Sequence, residues 1–210
     1  MSRLLYIQAS PRGQRSFSVR VADSFVDAYK KQNPNDEVVT LNIFEESLPS
    51  FDGFTLDAKY AIMHGKEHSP EQLQAWKKVE QIIEQFKSAD KYILAVPMWN
   101  FNIPYRLKQY IDIIVQPGYT FGYSDEKGYE GLAGPKPFTV VYSRGGKYDV
   151  GSGAETLDLQ SRYIELILGF MGFKDIKSII VEPTLQGGPE MAEKLLKQAK
   201  EKAEKTAENF

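Results

Sequence analysis

The chain contains no cysteine. Disulfides, thiolate metal sites, iron–sulfur clusters and cysteine nucleophiles are therefore excluded together. It also lacks any apolar run approaching the roughly 18 residues that a membrane span requires. The only apolar stretch near the N-terminus, Leu4 to Ile7, is too short for the core of a signal peptide. Histidine is scarce, with two residues, and neither sign of charge dominates: the net charge is −2. A near-neutral chain offers no basic footprint for nucleic acid and no strong acidity for docking onto basic partners. The resulting expectation is a soluble, cytoplasmic protein without nucleic-acid or membrane partners. Hydrophobic residues at 42% supply a sizeable core, and 210 residues suit one α/β domain spanning 1–210.

Along the chain, short β-rich runs alternate with helical patterns. Leu4 to Gln8, Glu37 to Ile43, Lys91 to Val96, Pro137 to Ser143 and Ile176 to Val181 read as strands. Helical spacing follows at Ser16–Lys31, Pro104–Val115, Leu157–Gly169 and Gly188–Asn209. Ser69-Pro70-Glu71-Gln72 starts a further helix running to about Lys87, with Ser as cap, Pro at the first position and Gln at the third. Thr120 to Tyr129 reads as a hairpin, and Phe44 to His68 as a long irregular stretch suited to a lid or an oligomer contact. The Lys/Glu-rich tail from Glu193 to Glu208 reads as a solvated helix face. Strand–helix alternation implies a three-layer sandwich: a five-stranded parallel sheet with helices on both faces and strand order 2-1-3-4-5.

In such sheets ligands gather beyond the carboxyl ends of the strands near the switch point. Three loops fall there. The first, ASPRGQRSFS, carries Ser10, Gly13, Ser16 and Ser18 and leads into a helix, whose N-terminal N–H groups favour an anion. Without G-x-G-x-x-G or G-K-[ST], a single phosphomonoester is the natural guest; an ordinary Ser-capped helix is the alternative. The second loop, Pro97 to Pro104, interleaves Met98, Trp99 and Phe101 with Asn100 and Asn102. It fits one edge of a flat heterocycle, or else its apolar side chains fill core, with Asn102 equally placed to cap the next helix. The third, Ser143-Arg144-Gly145-Gly146, lets backbone approach a ligand, with Arg144 supporting negative charge on a ring; otherwise it is a turn with a surface arginine. All three lie on one sheet edge and together outline a flavin mononucleotide site. His64 and His68 stand four apart, but with Gly65 between them and no third ligand they read as surface loop residues, so no metal is expected.

On these residues the chain resembles the FMN-dependent NADH azoreductases, which are also NADH:quinone oxidoreductases of flavodoxin-like fold. The resemblance spans nearly the whole chain. It rests on the S-x5-S-x-S spacing of Ser10, Ser16 and Ser18, on PMWNFNI at Pro97 to Ile103 and on SRGG at Ser143 to Gly146. Thr120 to Tyr123, Leu168 to Gly172 and Gly188 to Ala192 add weaker echoes. It implies that Ser10 and the Ser16-Phe17-Ser18 turn hold the FMN phosphate. Pro97, Met98, Trp99, Asn100 and Phe101 would line the isoalloxazine, and Ser143, Arg144, Gly145 and Gly146 would face its pyrimidine side. It further implies a homodimer with active sites at the interface, where Phe121 and Phe170 form an apolar slot for small aromatic acceptors. Phe17, where a polar residue is common, and Trp99, where Tyr is usual, depart from the pattern and put acceptor preference in doubt. The implied activity is ping-pong hydride transfer from NADH or NADPH to quinones and azo compounds, with nitroaromatics as further acceptors; no side chain is assigned as catalytic acid or base. The rival readings are a flavodoxin-type electron carrier and a non-catalytic FMN-binding module. A phosphatase of similar topology lacks its cysteine here, and a receiver domain lacks its acidic cluster.

Overall fold

In the computed structural model, which describes residues 1–210, the chain runs β1 (Arg3–Gln8), α1 (Phe17–Gln32), β2 (Glu37–Asn42), α2 (Gly53–Met63), α3 (Pro70–Lys87), β3 (Lys91–Pro97) and α4 (Tyr105–Ile114). It continues through β4 (Phe121–Ser124), β5 (Gly128–Gly131), β6 (Phe138–Ser143), α5 (Leu159–Phe170), β7 (Ile176–Val181) and α6 (Gly188–Glu208). The parallel sheet has the order β2-β1-β3-β6-β7. This is the expected 2-1-3-4-5 arrangement of the same five strands. The numbering differs because the antiparallel hairpin β4–β5 stands apart from the sheet and takes two numbers.

The central strands read as continuous apolar runs because helices cover both of their faces. Successive side chains alternate between those faces. Leu5, Ile7, Leu94, Val96, Val140 and Tyr142 point toward a core shared with α2 to α5. Leu4, Tyr6, Ile93, Ala95 and Val141 point toward a second core under α1 and α6. The outer strands β2 and β7 are only partly covered. No helix is long and apolar enough to cross a membrane.

The start of α3 is the reciprocal cap that its sequence suggests. The Ser69 N–H donates to Gln72 Oε1 at 2.9 Å, and the Gln72 N–H donates to Ser69 Oγ at 3.2 Å. The Phe44–His68 stretch is not irregular throughout, since it contains α2, begun by Asp52 accepting from the Thr55 N–H at 3.0 Å. Its pattern conceals the helix. Apolar residues fall at every second position from Phe54 to Ile62, and Phe54, Tyr60 and Met63 are exposed. His64 closes α2 and stacks on Tyr60, while His68 lies beyond the helix and its Nδ1 pairs with the Lys66 carbonyl, so the two do not share a helical face. The hairpin is docked by close backbone approach: a Cβ on Gly131 would lie 2.2 Å from the Gly172 nitrogen, and one on Gly134 would lie 2.0 Å from the Gly172 oxygen.

Both cores bury tyrosines. Burial raises the phenols of Tyr6, Tyr92, Tyr110 and Tyr142, and pushes Tyr163 up to about 12. In the unfolded chain these phenols ionise near an ordinary value of about 10. Above that pH the unfolded state holds fewer protons than the fold, so stability falls as pH rises. Unfolding free energy from urea titrations is therefore expected to be flat up to about pH 9 and to decline beyond about pH 10. A stability that held or rose through that interval would contradict the burial of these phenols.

Candidate active site

The loop after β1 gathers buried hydroxyls at a helix start. Ser10, Ser16 and Ser18 are all buried. Gly13–Arg15 forms one turn of 3-10 helix, and Ser16 occupies the cap position of α1 with an extended backbone. Its hydroxyl makes no capping bond; it lies 3.1 Å from the Ser18 hydroxyl instead. The first N–H groups of α1, on Phe17, Ser18 and Val19, have no acceptor in the chain. Hydroxyls and N–H groups thus converge at the positive end of a 16-residue helix, a donor set suited to a phosphate. Phe17 is half-buried, with the Arg20 guanidinium 5.8 Å from its ring centre.

The loops after β3 and β6 begin side by side. Pro97 is in register with Ser143, and the Met98 N–H donates to the Ser143 carbonyl at 2.8 Å. The chain then turns sharply. Trp99 and Asn102 exchange backbone bonds of 2.8 and 2.9 Å, with Asn100 at φ 47° and Phe101 at φ 66°. Two consecutive left-handed residues make a type I′ turn, in which the second place ordinarily falls to glycine. Asn tolerates that conformation; Phe carries a strain of about 1 kcal/mol or more. Trp99 packs against Phe44 and Tyr105, with ring centres 5.9 and 6.4 Å away, and Phe101 is 44% exposed. Neither Met98 nor Trp99 is core filling, since both are only partly buried. Asn102 is not a helix cap: its Oδ1 accepts from the adjacent Ile103 N–H, and α4 begins after Pro104 without a side-chain cap.

Arg144 is not the surface residue that a plain turn would carry, and its guanidinium lies 5.5 Å from the Tyr142 ring centre. Its side chain is 1% exposed and donates from Nε to Gln160 Oε1 at 3.0 Å, from Nη1 to Glu182 Oε2 at 3.1 Å and from Nη2 to Asp158 Oδ2 at 2.7 Å. The carbonyls of Arg144 and Gly145 are taken by Thr184, Leu185 and Gln186 in the loop after β7. The N–H groups of Gly145 and Gly146 have no acceptor in the chain. A Cβ on Gly145 would sit 2.8 Å from the end of the exposed Leu185 side chain, and one on Gly146 would sit 3.2 Å from the Tyr148 hydroxyl, contacts that movement of those side chains can relieve.

A cavity of about 740 Å³ opens beside the Trp99 turn. It is lined by Phe51, Trp99, Asn100, Asn102, Ile103, Tyr105, Lys108, Gln109, Asp112 and Tyr163. Of these, Phe51, Tyr105, Lys108, Gln109, Asp112 and Tyr163 escaped the sequence reading. Tyr105, 68% exposed at the start of α4, is the one an exposed-aromatic criterion would have flagged. Burial, with Asp112 adding to it, raises the Tyr163 phenol.

A family model described as flavodoxin-like fold matches residues 2–207. A protein of Nitratidesulfovibrio vulgaris (strain DP4) named FMN-dependent NADH:quinone oxidoreductase is 53% identical over 210 residues, covering all of both chains. The crystal structure of an azoreductase from Bacillus anthracis str. Sterne superposes with a TM-score of 0.92 at 31% identity, again over all of both chains. An FMN-dependent NADH-azoreductase from Bacillus anthracis str. Ames Ancestor, solved in complex with FMN, gives 0.88 at 28% identity over 99% of this chain and 100% of its own. The chain belongs to the FMN-dependent NADH:quinone oxidoreductases of flavodoxin-like fold.

For an oxidoreductase of this family, the test is whether the residues present suit FMN. They do: buried hydroxyls beside unpaired helix N–H groups match its phosphate, and two glycines with free N–H groups leave room for the polar edge of its ring. Phe121 and Phe170 are placed elsewhere. Their rings meet at 4.7 Å and share Tyr129, but at the C-terminal end of α5. Leu159, whose N–H bonds the Phe101 carbonyl, begins that helix, and the intervening residues span about 16 Å. One chain does not bring the aromatic pair to its own Trp99 turn.

The strained turn is open to test. Phe101→Asn should leave the free energy of unfolding unchanged or raise it by up to about 1 kcal/mol, because Asn accepts the left-handed backbone more readily. Chemical denaturation measures this, and a loss above about 2 kcal/mol would show that contacts of the Phe101 ring, such as its edge-on packing with Tyr148, outweigh the strain.

Proposed function

We propose that residues 1–210 form a single FMN-binding domain that transfers hydride from NADH or NADPH to quinones and aromatic azo compounds, with nitroaromatics as further acceptors, by a ping-pong mechanism. The observation that carries this reading is the convergence of three loops on one sheet edge, each presenting donors without acceptors in the chain or a turn bordered by aromatic rings. FMN, when bound, supplies the hydride chemistry. Ser10, Ser16, Ser18 and the start of α1 hold its phosphate. Trp99, Asn100 and Phe101 border its ring, and the Gly145 and Gly146 N–H groups support negative charge there, as an oxyanion hole does. No side chain at this edge is required to move a proton.

The separation of Phe121 and Phe170 from the flavin loops supports a homodimer in which each chain completes the other's acceptor slot. Exposed apolar residues on α4, α5 and the hairpin, including Tyr105, Leu166 at 71% and Tyr129 at 68%, support an apolar contact over this region. The same features and the adjoining cavity argue against a one-electron carrier, which needs no acceptor slot.

Steady-state kinetics of the FMN-reconstituted protein with NADH and benzoquinone are expected to give parallel double-reciprocal lines, and sedimentation a mass twice 23.9 kDa. Intersecting lines would overturn alternate occupation of one site, a monomer would overturn the shared slot, and absence of NADH oxidation with any quinone would overturn the enzyme reading.

A further inference from the structure

The buried arginine has one cationic charge and two carboxylate partners. Arg144, Asp158 and Glu182 together leave one surplus formal negative charge, with side-chain exposures of 1%, 12% and 9%. Of the other charges on the loop before α5, Lys147 and Asp149 pair with each other at 3.3 Å and cancel, and Glu155, its carboxylate bonded to the Gly151 N–H and the Ser152 hydroxyl, adds a further negative charge. Resting on the FMN reading above, we infer that this cluster is a positioning and charge-setting device that holds the flavin's two-electron reduction potential down.

The positioning follows from the bond network. Arg144 lies between Ser143 and Gly145, so fixing its side chain fixes the backbone that presents the Gly145 and Gly146 N–H groups. Gln160, which accepts from Arg144 Nε, donates its own Nε2 to the Val96 carbonyl at 3.1 Å, just before Pro97 and Met98. Asp158 binds Arg144 while capping α5 through the Ser161 N–H at 2.9 Å, and the first residue of α5 bonds the Phe101 carbonyl. Glu182 binds Arg144 and accepts from the Tyr148 N–H at 3.3 Å. A single guanidinium therefore ties the Gly145–Gly146 loop to the Trp99–Asn102 turn through α5 and to the end of β7.

The charge follows from the same bonds. An arginine beside the ring would favour the negative charge that the ring gains on reduction, but here that cation is more than neutralised. A buried surplus negative charge is weakly screened and opposes further negative charge nearby. The Gly145 and Gly146 N–H groups are left as the stabilising donors on this loop. The reduced ring is then the stronger hydride donor to the acceptor, at the expense of driving force from NADH.

The test uses neutral variants: Glu182→Gln, whose one amide oxygen can still accept from both Arg144 and the Tyr148 N–H; Asp158→Asn, which keeps the α5 cap but gives up acceptance from Arg144; and the double variant. Midpoint potentials are read by spectroelectrochemistry on the FMN-loaded proteins, with FMN affinity measured alongside. The expected result is a positive shift of potential in each single variant and a larger one in the double, with FMN affinity retained. A purely structural cluster would alter stability or affinity without that sign and order. Equal or negative shifts in proteins that bind FMN would overturn the inference alone. No FMN uptake by the unsubstituted protein would overturn the site reading and this inference with it.

Discussion

Parallel pairing of β1, β3 and β6 places three chain exits on one edge of the sheet, and the site is built from what the chain does at those exits. Because Pro97 pairs with Ser143, the Trp99 turn and the Gly145–Gly146 loop begin a hydrogen bond apart. Because β1 lies on the other side of β3, its exit into α1 delivers a helix N-terminus to the same edge. Helix dipole, left-handed turn and bare backbone are then neighbours without any residue reaching far to meet another. The hydrophobic burial on both faces keeps the register, since a slip by one residue would exchange the two cores.

The second constraint is the cluster around Arg144. A buried cation with two largely buried carboxylates contributes little net stability as such, but loss of the arginine leaves two carboxylates uncompensated. Its consequence is specificity of position: α5, β7 and the loops after β3 and β6 have one arrangement in which the bonds of this cluster are all made. The strain at Phe101 is maintained by the same frame, because its carbonyl is held by the start of α5.

Much of this was legible in the sequence. The five sheet strands announce themselves as apolar runs, and Ser69-Pro70-Glu71-Gln72 states its cap outright. Ser10, Ser16, Ser18 and the two glycines could be placed because their chemistry is local to a loop whose position the topology dictates. What escaped depended on long-range partners. The buried ion pairs of Arg144 escaped because Asp158 and Glu182 lie 14 and 38 positions away and only the fold brings them to it. Helix α2 escaped because its exposed Phe54, Tyr60 and Met63 break the 3.6-residue pattern. The left-handed turn escaped because Phe101 occupies a place where glycine would have signalled it.

On the proposed reading, the buried hydroxyls and free N–H groups of the first loop hold the phosphate of a flavin mononucleotide at this edge. Titration of the apoprotein with FMN and with riboflavin, followed by quenching of flavin fluorescence, isolates that contribution. Two charge-assisted hydrogen bonds of about 1.5 kcal/mol each imply that FMN binds at least about 100-fold more tightly than riboflavin. Equal affinities would contradict the phosphate site, and failure of both ligands to bind would contradict the account as a whole.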